Sequence, residues 1–303
     1  MTEVYKDKIG YLSYEGTLQF SGGRISSLLS FDNAYEYVNK RANKDGFFYP
    51  PIVETYLQNH EVIDGILETH EELIPNTKRP AQMFKLPASH EIQLFNPVYT
   101  NEPRSGDGLF ITYLIAFIFG VRLQFFDWFF DGKVPINPNQ DFLFSPSATE
   151  NFLDSAYRIW RNNSDDQKKL ITNLLYMQTK IRSYEWDWER FLISYMIIDG
   201  CYRYLNETQG VISGQHRNRI KAVLEYFNMK LNLDWIDQIV NLRNELFHET
   251  LWVGGQPGNS GTTYSYSAAF HLSKLNNRVI FAILGYQGEY IRSSWWSRGT
   301  YMF

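Results

Sequence analysis

Cysteine is almost missing from the 303-residue sequence, Cys201 being the single one. An internal disulfide is therefore excluded and a reducing compartment is natural; with no catalytic partner evident, the thiol reads as core. Long apolar runs are missing too. The most apolar stretch, Leu109 to Val121, is too short for a membrane span and stops at Arg122, so it reads as a buried helix. Met1 to Lys8 lacks the apolar core of a signal peptide, and the expected location is cytoplasmic, with no membrane partner. Positive charge is not in excess: the net charge of -4 argues against a protein that coats nucleic acid. It leaves room for an enzyme that grips a few nucleotides in one local basic cleft. No internal repeat or low-complexity tract is present. His60, His70, His90 and His271 lack metal-ligand spacing, and no Gly-Lys-Ser/Thr follows the glycine-rich stretch Gly254 to Gly261, so neither metal nor cofactor is expected.

What the sequence does have is aromatic bulk, with 22 Phe, 21 Tyr and 8 Trp within a composition that is 44% hydrophobic and 20% charged. Such a chain forms a core. The expected fold is mainly α: a helical bundle preceded by a mixed α+β region. In the first half, Thr17 to Phe20, a turn at Ser21-Gly22-Gly23 and Arg24 to Phe31 read as two strands. Val53 to Leu73 has apolar residues at roughly helical spacing and reads as a helix closed by Pro75. His90 to Phe95 reads as a strand, Leu109 to Gly120 as the buried helix, and Gln124 to Ile136 as a hairpin turning at Asp131-Gly132. The proline-rich segment Pro135 to Pro146 is the natural boundary between domains at 1–144 and 145–303.

Beyond the boundary the pattern predicts helix after helix. Ser147, with Glu150 three residues on, is expected to cap a helix to about Asn162. Ser164 begins another, to about Ser183, and a third covers about Trp186 to Leu205. Ser213 caps a fourth with Ile220, Val223, Leu224 and Phe227 on one face, a fifth spans about Leu233 to His248, and a last one about Ala268 to Leu284.

The fifth helix carries the chemistry. Ile236, Ile239, Val240, Leu246 and Phe247 fall on one side, and Arg243 falls at the centre of that apolar stripe. A cation there needs a partner or a polar cleft. Asn244 and His248 are four residues apart on the stripe's flank. On the third helix Asp199 lies within the apolar stripe of Leu192, Tyr195, Met196 and Tyr202, so a charge-assisted pair between Arg243 and Asp199 is expected. A fixed guanidinium suits phosphate oxygens and developing negative charge, and a histidine near neutral pKa moves protons. Asparagine orients either group. RNA brings its own nucleophile, the 2′-hydroxyl, so these parts suffice for a nuclease without a metal. His216, Arg217, Arg219 and Lys221 cluster at a helix start, where they serve either as RNA-phosphate contacts or as solvated surface charge.

Arg243-Asn244-x-x-x-His248 resembles the Arg-Asn-x-x-x-His motif of HEPN domains, a superfamily that includes metal-independent endoribonucleases of prokaryotic defence systems. Phe191 to Tyr204 with Asp199, the start His216 to Ile220, and Arg278 to Tyr290 are similar, in order and spacing, to landmarks of the ApeA-like branch. The resemblance covers about Asp187 to Ile291, in the C-terminal half only. It implies a homodimer in which two motif helices form one RNA-cleaving cleft that leaves a 2′,3′-cyclic phosphate. His248 would be the general acid or base, Arg243 the phosphate-binding and transition-state cation, and Asn244 and Asp199 the orienting groups. The setting would be antiviral defence or stress, with residues 1–144 sensing a trigger ligand or restraining the nuclease. The alternatives are a non-catalytic HEPN-like module that binds RNA, nucleotide or a protein partner, and an aromatic-rich first half that binds the ligand that matters while the bundle serves dimerisation. Toxins governed by a nucleotidyltransferase antitoxin often carry tyrosine two residues after the motif histidine; Thr250 stands there, which argues against adenylylation control.

Overall fold

The computed structural model describes residues 4–99, 101–137, 142–143, 145–212, 214–230, 232–257, 263–293 and 301–302. The expected cap Ser213, part of the 135–146 boundary and the glycine-rich positions 258–261 lie outside them. The first half contains strands β1 (Val4–Gly10), β2 (Thr17–Phe20) and β3 (Gly23–Ser27), then helix α1 (Phe31–Asn39). Strands β4 (Phe47–Phe48), β5 (Ile52–Ile63), β6 (Ile66–Pro80), β7 (Met83–Phe84) and β8 (His90–Phe95) follow, then α2 (Asp107–Phe119), β9 (Gln124–Phe125), β10 (Phe130–Asp131) and β11 (Val134–Pro135). The second half is helical: α3 (Pro146–Asn162), α4 (Asp165–Lys180), α5 (Asp187–Gln209), α6 (His216–Tyr226), α7 (Leu233–Asn244), α8 (Thr263–Ile283) and α9 (Glu289–Arg292). The protein is thus an α+β molecule with a small antiparallel sheet. Among the described residues no helix is long and apolar enough to cross a membrane.

The sheet runs in the order β2-β3-β8-β1-β9, all pairs antiparallel. The β2–β3 turn lies so close to α3 that a side chain at Gly22 would overlap the Tyr157 ring. Two α3 carboxylates then cover the free edge of β2: Glu150 Oε1 accepts the Gln19 amide at 2.8 Å and Asp154 Oδ1 accepts that of Ser21 at 2.9 Å. Glu150 is therefore no part of a capping box. Ser145 caps α3 instead, accepting the Ala148 amide with Pro146 in the first turn. The expected box at Ser164 and Gln167 is present.

Three expectations for the first half need correction. Val53 to Leu73 is strand rather than helix. Asp64 and Gly65 both take positive φ, 51° and 80°, the geometry of a two-residue hairpin turn, and it folds β5 back on β6. Pro75 pairs opposite Tyr56 at a register shift, where its missing N–H is tolerated. The second strand ends at Ser27, and Phe31 opens α1. Gln124 to Ile136 is not one hairpin: β9 joins β1, β10 joins β7 and β11 joins β4. Buried Arg122 and Lys180 of α4 both meet Asp131. Burial raises that carboxyl, but their hydrogen bonds outweigh it and hold it at about 2.

Helix α2 is apolar nearly all round and is buried between the sheet and helices α3 and α4. At its start the buried Asp107 accepts the amides of Val98 and Tyr99 and, at 2.6 Å, the Tyr157 hydroxyl of α3. Trp160 of α3 stacks on Phe110 of α2 at 4.8 Å and donates its indole N–H to α4. One apolar core therefore runs from Ile9 and Leu94 through Phe110 to Leu224 and Leu284, across the 144/145 position.

His90 is fully buried between Ser89 and Ser27 hydroxyls and edge-on to Phe31. Burial disfavours the imidazolium and lowers the pKa to about 4. The unfolded chain, with an ordinary value near 6.5, takes up that proton first. The associated stability is fully present above about pH 6.5 and falls by on the order of 3 kcal/mol as the pH drops towards 4. Urea melts should show that slope, and His90→Gln should flatten it; an equal slope in the variant would discard the assignment.

Candidate functional site

Helix α7 starts at Asn232, whose side chain accepts the Trp235 amide, and it buries Ile236, Ile239 and Leu242 on one face. It ends at Asn244, and Glu245–Glu249 continue as a π turn, with the Thr250 amide bonding the Glu245 carbonyl. This local widening brings the motif together. Residues five apart on an α-helix point about 140° away from each other, whereas an i→i+5 turn stacks them. Arg243 Nη1 accordingly lies 3.1 Å from His248 Nε2 and donates to Asn244 Oδ1, also at 3.1 Å. For the guanidinium to donate to Nε2, that nitrogen must carry its lone pair, so the imidazole proton sits on Nδ1. The guanidinium also covers the Phe247 ring at 4.7 Å.

Thr250 ends the turn in the left-handed conformation, and Trp252 then plunges into the core, 4% exposed and 4.9 Å from the Phe191 ring of α5. Trp252 and Gly255 exchange backbone hydrogen bonds of 2.8 and 3.0 Å, so the start of the glycine-rich stretch is a pinned turn rather than a flexible loop.

The surroundings differ from expectation in four ways. Arg243 is only half-buried and His248 is exposed; Leu242 holds the core position, and the π turn rotates Phe247 outward to 49% exposure. Arg243 does not pair with Asp199. Asp199 faces α6 instead, with His216 Nδ1 at 3.5 Å and Arg219 Nη1 at 3.7 Å. Met196, assigned to an apolar stripe, is 49% exposed. The basic cluster divides, because Arg217 reaches Asp237 on α7 at 2.5 Å while Lys221 pairs along its own helix with Glu225. Helix α6 begins directly after Gln215.

Sequence reasoning gave Tyr195 a place in the core only. Its ring is buried and lies 5.9 Å from that of His216. Burial raises its pKa, the Asp199 charge adds to the rise, and Arg243 and Arg219 oppose it, so one phenol feels the groups of α5, α6 and α7 together. Among the described residues the Tyr195 hydroxyl, His216 Nδ1 and Arg219 Nε are buried without a hydrogen-bond partner. Unsatisfied polar atoms of this kind are uncommon in folded proteins, and His216 Nδ1 has only the longer 3.5 Å approach to Asp199. The available signal was the i, i+4 spacing of Tyr195 and Asp199. Among the described residues no group of His, Cys, Asp and Glu could hold a metal ion.

Comparison with protein-family models, with curated proteins and with solved structures finds no match for the chain.

Proposed function

We propose that the protein is a metal-independent endoribonuclease of HEPN type, acting as a homodimer in prokaryotic defence or stress. The observation that carries this reading is the contact of Arg243 with both Asn244 and His248, where the end of α7 passes into an accessible π turn. Among the described residues the guanidinium has no carboxylate within ion-pair distance, which suits it to a phosphodiester. When it swings from His248 onto the phosphate, Nε2 is left with a free lone pair. The 2′-hydroxyl then attacks phosphorus: the 2′-oxygen–phosphorus bond forms, the bond to the 5′-oxygen breaks, and His248 takes the 2′ proton. The products are a 2′,3′-cyclic phosphate and a 5′-hydroxyl end. The leaving oxygen needs a proton from a second acid, a role that His248 of a second copy fills when its Nε2 carries a proton taken from solvent. Asn244 holds the guanidinium, and Asp199 orients α6 through His216 and Arg219 rather than orienting Arg243 directly. Residues 1–144 serve as the regulatory part in this reading.

The test is incubation of mixed RNA with the full chain in EDTA, with chemical analysis of the ends. Cleavage leaving cyclic phosphate supports the proposal. RNA left intact in EDTA and with added divalent ions would leave the non-catalytic binding module as the better account.

A further inference from the structure

The π turn after α7 buries one apolar side chain and displays the next. Leu246 packs against the core, while Phe247 stands 49% exposed beside the exposed His248. A lone phenylalanine on a surface is ordinary. This one differs in what lies on it. Arg243 Cζ sits 4.7 Å from the ring centroid, and the same guanidinium contacts His248 at 3.1 Å. Among the described residues no other ring and no other cation lies on Phe247. The guanidinium therefore takes one face of the ring and leaves the other open.

A nucleotide joins a flat ring to an anion. Here an accessible flat ring is joined to a cation that has no carboxylate within ion-pair distance among the described residues. Stacking of a base on an aromatic side chain strengthens binding by about five- to a hundredfold. It takes any base, since every base has a π face. It also requires the base to be unstacked on one side. An A-form duplex keeps its bases stacked and offers shape, phosphates and 2′-hydroxyls instead.

We infer that Phe247 is the base-stacking platform of the RNA site, and that the substrate is single-stranded RNA read with little preference for base identity. The placement rests on the nuclease reading, in which the Arg243 fork holds the scissile phosphate. A base next to that phosphate lies on the open face of Phe247. Base and phosphate are then gripped by neighbouring residues, and the nucleotide is fixed at both ends when its 2′-hydroxyl meets His248 Nε2.

The experiment is fluorescence anisotropy of the full chain in EDTA with a short 2′-fluoro oligouridylate, which has no 2′-hydroxyl to attack. Its duplex with 2′-fluoro oligoadenylate and a ribose-phosphate oligomer of the same length without bases are the comparisons. The single strand should bind about tenfold or more tighter than either. Phe247→Ala should weaken the single strand about tenfold and leave the baseless oligomer unchanged. Phe247→Trp should keep the parental affinity, and Phe247→Leu, apolar but not flat, should resemble alanine. If the ring merely props Arg243, alanine weakens the baseless oligomer as much as the single strand, and the inference is overturned. Equal binding of the duplex, full function of leucine, or no binding of the single strand at millimolar concentration also overturns it. So does a Phe247→Ala protein that sediments as a monomer where the parent is a dimer, since the ring would then be a contact between copies. None of the probes can be cleaved. A chain that binds them through Phe247 but never cuts RNA overturns the nuclease reading alone, and one that cuts RNA regardless of Phe247 overturns the stacking role alone.

Discussion

Replacing His248 by alanine should lower RNA cleavage by about 10³-fold or more, within the range that a positioned general acid–base contributes. Arg243→Ala should cost about 10²–10³-fold through loss of transition-state charge stabilisation. Arg243→Lys should not restore the rate, because one nitrogen of the planar fork contacts Asn244 and His248, and only a fork has further donors in fixed directions for phosphate oxygens. Folding should be untouched in all three, since His248 is exposed and Arg243 half-buried. Gel assays, with circular dichroism as the folding control, read each variant. A His248→Ala protein that cleaves at the parental rate would end the catalytic assignment.

The helical half was readable because its signals are local. Ser164 and Gln167 form their box within one turn, and Ile220, Val223 and Leu224 fall on one buried face, as the period requires. At α5, Glu189 accepts the Trp186 amide, a carboxylate within the first turn, where the helix end favours one. Errors arose where a non-local or lower-ranked local term decided the outcome. In β5 and β6 the widely spaced apolar residues imitate a helix, while Asp64-Gly65 marks the turn that wins. Glu150 fits a capping box by position, but the amide of Gln19, far away in sequence, takes its carboxylate. Asp199 and Arg243 were matched on charge and stripe position. Arg219 and His216, one helix nearer, occupy the carboxylate first. The motif's own geometry was the hardest to foresee. Rotation at about 100° per residue assumes an unbroken α-helix, and the π turn changes which residues touch from Asn244 and His248 to Arg243 and His248.

Trp252→Ala should destabilise the protein by about 3–5 kcal/mol, the usual cost of emptying a large aromatic from a core. The side chain is 4% exposed against Phe191, which is itself fully buried on α5. Urea melts should register the loss, and Trp252→Phe should recover much of it, because a smaller ring still meets Phe191. Activity should fall further than the unfolded fraction accounts for. A π turn has little intrinsic stability and persists where the structure around it holds both ends. One end is α7, buried through Ile236, Ile239 and Leu242; the other is the short path from Thr250 to Trp252. With Trp252 truncated, the segment after Asn244 can relax to ordinary helix or fray, and either change separates His248 from Arg243. Cleavage measured well below the midpoint temperature, where the variant is folded, isolates this effect. Normal turnover there would mean that the π turn is held from α7 alone, and that Trp252 is a core residue with no bearing on the site.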